Sequence, residues 1–174
     1  SDFIPNRNTG TRLHIRPSLR HPFNWTSGFL TPMVAMDTTL YRTTDDPNNE
    51  RNLERTLPIV SVDSGLYFSR QSQWGGQPVT QTITPELFYL YVPYKNQLQL
   101  PIFNTYHLPF SDSALTALNE YAGIDRLQNA NQLSIILNGQ TISNASGQTL
   151  INWQIGSIIY LSKPKVCLRD FCPK

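Results

Sequence analysis

Alternation constrains this chain more than any other feature. Val79, Gln81 and Ile83 interleave with Thr80, Thr82 and Thr84, and such a run, rich in β-branched residues stiff at χ1, favours pleated strand. Leu87-Phe88-Tyr89-Leu90-Tyr91-Val92 follows. It is apolar on both faces, which predicts a central strand. Phe88, Leu90 and Val92 should point to one side, and Leu87, Tyr89 and Tyr91 to the other. Further strand-like runs lie at Met33–Tyr41, Ile59–Val62, Leu66–Ser69, Leu98–Ile102, Leu133–Leu137, Gln140–Ser143, Thr149–Trp153 and Ile155–Leu161. Pro101 puts a bulge or an edge into the fourth of these.

Turn chemistry separates the runs. Asp63-Ser64-Gly65 reads as a three-residue hairpin loop, and Asn138-Gly139 as a type I′ turn, which needs positive φ at both central residues. Asn144–Gly147 reads as a third turn. Asp46-Pro47 predicts a short surface helical turn through Arg55, with Asp46 as N-cap. One true helix is expected over about 111–122: Ser111-Asp112-Ser113 supplies the cap, Leu115, Leu118, Tyr121 and Ala122 recur at three and four residues, and Gly123 supplies the left-handed end.

Eight or nine short strands with turns every 8 to 12 residues predict an all-β, single-domain antiparallel β-sandwich, arranged as a jelly roll. Residues 28–165 form that sandwich. Residues 1–27, punctuated by Pro5, Pro17 and Pro22, read as an extended N-terminal arm with an edge strand at 11–16, and residues 166–174 as a C-terminal tail. An immunoglobulin-like sandwich fits less well, because the only cysteines, Cys167 and Cys172, are too close to bridge two sheets. They are candidates for a small disulfide loop in the tail or for free thiols. Ile135, Leu137, Ile158 and Tyr160 are expected across the gap between sheets, and Trp25 and Trp153 in the core.

Composition narrows the function classes. Charged residues make up 15%, well under the roughly 25% of an average soluble domain. Asn, Gln, Ser and Thr together number 55 against 26 charged residues. Residues 71–174 hold only eleven charges, which suits a surface meeting other protein or sugar, since interface cores lose charge. Four arginines, Arg7, Arg12, Arg16 and Arg20, sit in the first twenty residues with one acid, Asp2. They mark the arm as an intersubunit contact, with at most weak reach to nucleic acid. No apolar run approaches the roughly 18 residues of a membrane helix, and Ser-Asp-Phe-Ile-Pro lacks the pattern of a signal peptide.

Motifs for catalysis are sparse. Asp63-Ser64-Gly65 after Val60-Ser61-Val62 resembles the Asp-Ser/Thr-Gly signature of aspartic proteases. It occurs once, is followed by Leu66 rather than a small residue, and would need a second chain for its dyad. A turn accounts for the triplet with fewer demands. His14, His21 and His107 with the two cysteines match no compact zinc spacing. No nucleophile elbow, phosphate loop or dinucleotide fingerprint occurs. The sequence therefore implies no enzyme, no catalytic or metal residue and no cofactor. Trp74, beside Gly75-Gly76, is the one indole placed to stack on a ligand.

A single sandwich, a charge-poor surface and a proline-marked arm are the architecture of a viral or phage coat or spike protein. On this expectation the chain self-assembles through sandwich edges, loops and arm, with copies of itself and other structural proteins as partners and the virion as its location. The alternative is a secreted or surface carbohydrate-binding or adhesion module using Trp74. A dimeric aspartic-protease-like enzyme comes a distant third.

Overall fold

The computed structural model describes residues 10–43, 51–109, 111–166 and 168. In chain order the strands are β1 (Gly10–Ile15), β2 (Ser18–Arg20), β3 (Phe23–Trp25), β4 (Gly28–Thr43), β5 (Arg51–Leu66), β6 (Phe68–Trp74), β7 (Gln77–Val92), β8 (Tyr106–His107), β9 (Tyr121–Ala122), β10 (Ala130–Ser143) and β11 (Thr149–Tyr160). Nine of them form one antiparallel sheet along the path β1-β4-β5-β7-β10-β11; β8 and β9 make a separate two-stranded sheet. The all-β, antiparallel expectation is met.

The three N-terminal pieces are one strand interrupted by proline. Ile15 pairs with Thr38, Ser18 with Ala35 and Phe23 with Leu30, so the register against β4 runs on unbroken. Pro17 and Pro22 lack the N–H that would continue the ladder. The edge strand expected at 11–16 is β1. In the same way β5 and β6 follow one register along β7. Each long strand pairs with its neighbour in sequence, whereas a jelly roll pairs strands distant in sequence. Among the described residues the main sheet faces no second sheet of comparable size. What covers it is the segment 93–129 between β7 and β10.

Strand length is the second departure. β4, β5 and β7 each have 16 residues, roughly 50 Å of extended chain, against a usual strand of about 5–6 residues. Two predicted turns lie inside such strands. Asp63-Ser64-Gly65 sits within β5, with Asp63 opposite Thr31 and Phe88, and Asn138-Gly139 sits within β10. Gly139 is required for another reason: a Cβ there would collide with the indole of Trp153 on β11. The central-strand assignment of 87–92 holds, with β7 paired on both sides.

The expected helix is shorter and tighter. Asp112–Thr116 is a 3-10 turn whose Ser111 makes no side-chain cap, and Tyr121–Ala122 is strand. Gly123 does take positive φ, at 83°. Of the expected helical turn 46–55, residues 51–55 are strand, while 44–50 lie outside the described residues.

Antiparallel partners share a face, so the register sorts every strand into two sides. On one side lie Leu13, Ile15, Leu19, Phe23 and Trp25, then Leu30, Val34, Met36 and Leu40, and across the sheet Val60, Val62, Leu87, Tyr91, Ile135, Leu137, Trp153 and Ile155. Leu19 is 71% exposed, Val34 51% and Ile155 68%. On the other side lie Ala35, Asp37, Thr39 and Tyr41, then Arg55, Leu57, Ile59 and Ser61, with Phe88, Leu90, Val92, Ala130, Gln132, Ser134 and Ile136, all buried. Leu127 of the 93–129 segment completes the apolar core there. Leu115 of the same segment seats on Gly156, where any Cβ would displace it. Trp25 and Trp153 are thus surface residues, and Ile135 and Leu137 neighbour β7 in its own sheet instead of facing it from another.

Candidate functional site

The polar residues gather on the inward face, where the 93–129 segment meets β1, β4 and β5. Arg55 on β5 is 1% exposed. Its Nη2 donates to Asp37 Oδ1 at 2.6 Å, Thr39 Oγ1 at 3.2 Å and the Ile124 carbonyl at 3.1 Å, and its Nη1 donates to Gln97 Oε1 at 3.2 Å. Gln97 in turn donates to the Leu127 carbonyl at 2.7 Å and accepts from the Leu127 N–H at 3.1 Å. The other oxygen of Asp37 lies 2.9 Å from His14 Nε2 on β1. One guanidinium therefore ties β4 and β5 to the covering segment.

Asp125 is the matching anchor within that segment. Its Oδ2 accepts from Phe103 N–H at 2.8 Å, Asn104 N–H at 3.1 Å and Thr105 Oγ1 at 3.1 Å, and its Oδ1 pairs with Arg12 of β1. Burial pushes this carboxyl up, but the Asn104 and Phe103 N–H groups and the Arg12 guanidinium outweigh it and hold it below the ordinary carboxylate range. Tyr41 donates to the carbonyls of Ile124 and Asp125, each at 3.4 Å. Arg126 donates to the Leu100 carbonyl at 2.8 Å and the Asp125 carbonyl at 2.9 Å, folding the segment on itself. Buried ion pairs of this kind hold only when every lone pair and proton finds a partner, and here nearly all do. Beside the network a cavity of about 260 Å³ separates the 3-10 turn from Leu90, Ala130 and Ile158.

The inward face also collects the arginines singled out in the sequence. Arg12 registers opposite Tyr41 and Arg20 opposite Met33; Arg16 falls between them on the same alternation. Arg7 lies outside the described residues, as do Cys167 and Cys172. Trp74 ends β6, 52% exposed, beside Gly75 and Gly76 at φ 58° and 79°. Asp63 faces inward and hydrogen-bonds Glu86 through their side chains. Asn138 Nδ2 donates to the same glutamate at 3.2 Å. Sequence reading missed Asp37, Arg55, Gln97 and Asp125 altogether. The signal available was a charged residue at an inward position of an otherwise apolar alternation, as at Asp37 and Arg55.

The outward face offers the opposite chemistry. Between Arg42 and Glu54 at one end and Arg70 at the other, no described outward position carries a carboxylate, ammonium or guanidinium. His21 lies within the band, edge-on to Phe23 with ring centroids 4.6 Å apart. From Leu30 to Leu40 the band covers roughly 33 Å along the strand, or about 25 Å in height at the tilt of membrane barrels. Trp25, Phe23, Phe68 and Trp153 sit toward one end, and Tyr89 and Tyr91 align with Pro32 and Val34 nearer the middle.

Comparison with known proteins places the chain in a family. The family model described as LPS transport system D matches residues 3–173. The chain is 43% identical over 173 residues to the LPS-assembly protein LptD of Coxiella burnetii, covering 99% of this chain and 20% of that protein. It is 40% identical over 174 residues to its namesake in Pseudomonas syringae pv. tomato, with 94% and 19% covered. With that of Thiobacillus denitrificans it is 34% identical over 170 residues, with 98% and 23% covered. The chain spans about a fifth of the length of these relatives.

These matches overturn the coat-protein reading, and with it self-assembly into a shell, viral structural partners and a virion location. The adhesion module and the protease dimer fall with it. The physical cause of the misreading is the charge-poor surface, which was assigned to protein contacts. On the evidence of the family model and of relatives well above 30% identity across nearly its whole length, the chain belongs to the LptD family, LPS transport system D.

Proposed function

We propose that this chain is a sector of the wall of a transmembrane β-barrel that serves LPS transport and assembly at the bacterial outer membrane. The observation that carries the reading is the inverted sheet: an uncharged apolar band outside, and hydrogen-bonded charge within. A sheet in water buries its apolar face, whereas a barrel wall in lipid turns it outward. Next-neighbour antiparallel pairing and long strands fit the same architecture. The outer edges of β1 and β11 would pair with further strands of the longer protein, because a long apolar edge left open invites aggregation.

Orientation follows from the connections. Thr26-Ser27, Gly75-Gly76 and residues 144–148 are short turns at one end of the sheet; residues 44–50 and 93–129 connect strands at the other. In outer-membrane barrels short turns face the periplasm and long ones the exterior. The 93–129 segment would then fold inward from the exterior end and narrow the lumen, with Arg55, Asp37, Arg12 and Asp125 as its fastening. The family's printed role, LPS assembly, comes to this chain through that wall. The reading assigns no bond-making step to any residue.

Cysteine accessibility in the full-length protein in its membrane tests it. A cysteine at Val34 or Ile135 should resist a membrane-impermeant maleimide, and one at Ser18 or Asn24 should react at least tenfold faster. Equal labelling of both sets would refute the wall reading.

A further inference from the structure

We propose that Arg16 and Arg20 form an anion-binding track on the inward face of the first strand, which engages phosphate groups of a glycolipid passing along the wall. The inference rests on the wall reading above and names the chemistry that this surface selects. Arg12, Arg16 and Arg20 recur every four residues, about 13 Å apart along a strand. The register puts all three on the inward side, while Leu13, Ile15 and Leu19 between them face outward. Arg12 is spent on Asp125. Arg16 and Arg20 are exposed, and they lie on the part of the face that the 93–129 segment leaves open.

The acids within reach are already engaged. Asp37, next to Arg16 across the strand pair, holds Arg55 and His14. Asp63, which attracts Arg20, shares a hydrogen bond with Glu86. Counted together, Arg12, Arg16, Arg20 and Arg55 face Asp37, Asp125 and the Asp63–Glu86 pair, which keeps one negative charge while it shares a proton. One positive charge is therefore left over at this corner, and it is Arg rather than Lys that supplies it. A guanidinium offers a planar fork that matches phosphate oxygens two at a time. An interior lined for water alone would not need the two cations, and the neutral residues around them, Ser18 and Asn24, show that smaller polar groups are tolerated there.

The test uses the full-length protein in LPS-containing outer membrane, with a photo-crosslinking residue at Ser18, between the two arginines, or at Leu19 on the outward side. Illumination should trap LPS at Ser18 and bulk phospholipid at Leu19. Replacing both arginines (Arg16→Gln with Arg20→Gln) should cut LPS capture at Ser18 at least fivefold without changing capture at Leu19. Arg16→Lys with Arg20→Lys should keep more than half of it. Membranes in which the LPS phosphates have been removed should reproduce the Gln result with the unaltered protein. Undiminished capture in the Gln variant, or equal capture of dephosphorylated LPS, would overturn the track and leave the wall intact. Capture of a protein instead of LPS at Ser18 would also overturn it. Phospholipid trapped equally at both positions would instead refute the wall reading itself.

Discussion

The two faces of this sheet use the same alternation for opposite ends. Outward, Val34, Leu40 and Ile135 sit exposed, and they need no polar partner if hydrocarbon is the solvent. Inward, Arg55 and Asp125 are buried, at 1% and 0% exposure, and every strong contact they make is to a named donor or acceptor. A strand of a soluble sandwich is specified by one buried apolar face. On the wall reading both faces are specified, one by lipid and one by a hydrogen-bonded network. The lesson is that the polar face, usually the permissive one, tolerates the least change.

That ranking can be broken by substitution. Arg55→Ala removes the guanidinium that Asp37, Gln97 and the Ile124 carbonyl share, and should cost about 3–5 kcal/mol, because it strands a buried carboxylate. The thermal unfolding temperature should fall clearly, and protease should cut within 93–129 before the sheet melts. Val34→Arg tests the outward face. A cation at mid-height of a lipid-facing wall should cost about 2–4 kcal/mol, read as loss of the folded, heat-modifiable band on electrophoresis. If Val34→Arg assembles normally, the lipid face is misassigned.

Acid should separate the faces without mutation. The Asp125 carboxyl is held below its unfolded value, so its contribution is present above the ordinary carboxylate range and is lost as pH falls through its folded pKa. Arg12, Arg55, Arg126 and Tyr41 are the charged or titratable groups around it. Protease sensitivity of 93–129 should therefore rise below about pH 4, with the outward band unaffected, and Asp125→Asn should flatten that rise. The smallest effect is expected at Trp74. Its indole is half exposed beside a flexible glycine turn, so Trp74→Ala should shift stability by no more than about 0.5 kcal/mol.

Much of the secondary structure was legible. The strand through 87–92 and the edge strand at 11–16 came directly from alternation, as did the opposite pointing of Leu90 and Tyr91. What alternation lacks is a label for the solvent on each side. Leu13, Ile15 and Leu19 against Arg12, Arg16 and Arg20 look the same whether the apolar side meets a core or a bilayer. That ambiguity produced a second large sheet that the described residues do not contain. Local turn chemistry failed for a related reason. Gly139 serves Trp153 on the next strand, and Asp63 and Asn138 serve Glu86 on the inward face, so residues that resemble a turn are answering tertiary neighbours. The fastening network was illegible because its parts, Arg12, Asp37, Arg55, Gln97 and Asp125, are scattered over more than a hundred residues.

The long connection between β7 and β10 bears on how the wall comes together in time. Tight turns join β3 to β4 and β6 to β7, and a five-residue turn joins β10 to β11, so these pairs can each close within microseconds as hairpins. The seam between β7 and β10 must instead close a loop of 37 residues. Relative to a two-residue turn, that adds an entropic cost of roughly 2–3 kcal/mol before the first contact of the seam forms. Arg55 and Asp125 lie on opposite sides of this loop closure, one in the wall and one in the connection. Arg55 can meet Asp37 and Thr39 as soon as β4 and β5 pair, whereas the Arg55–Ile124 and Arg12–Asp125 contacts must wait for the connection to fold back onto the sheet, which makes the completed inward network a late event in folding.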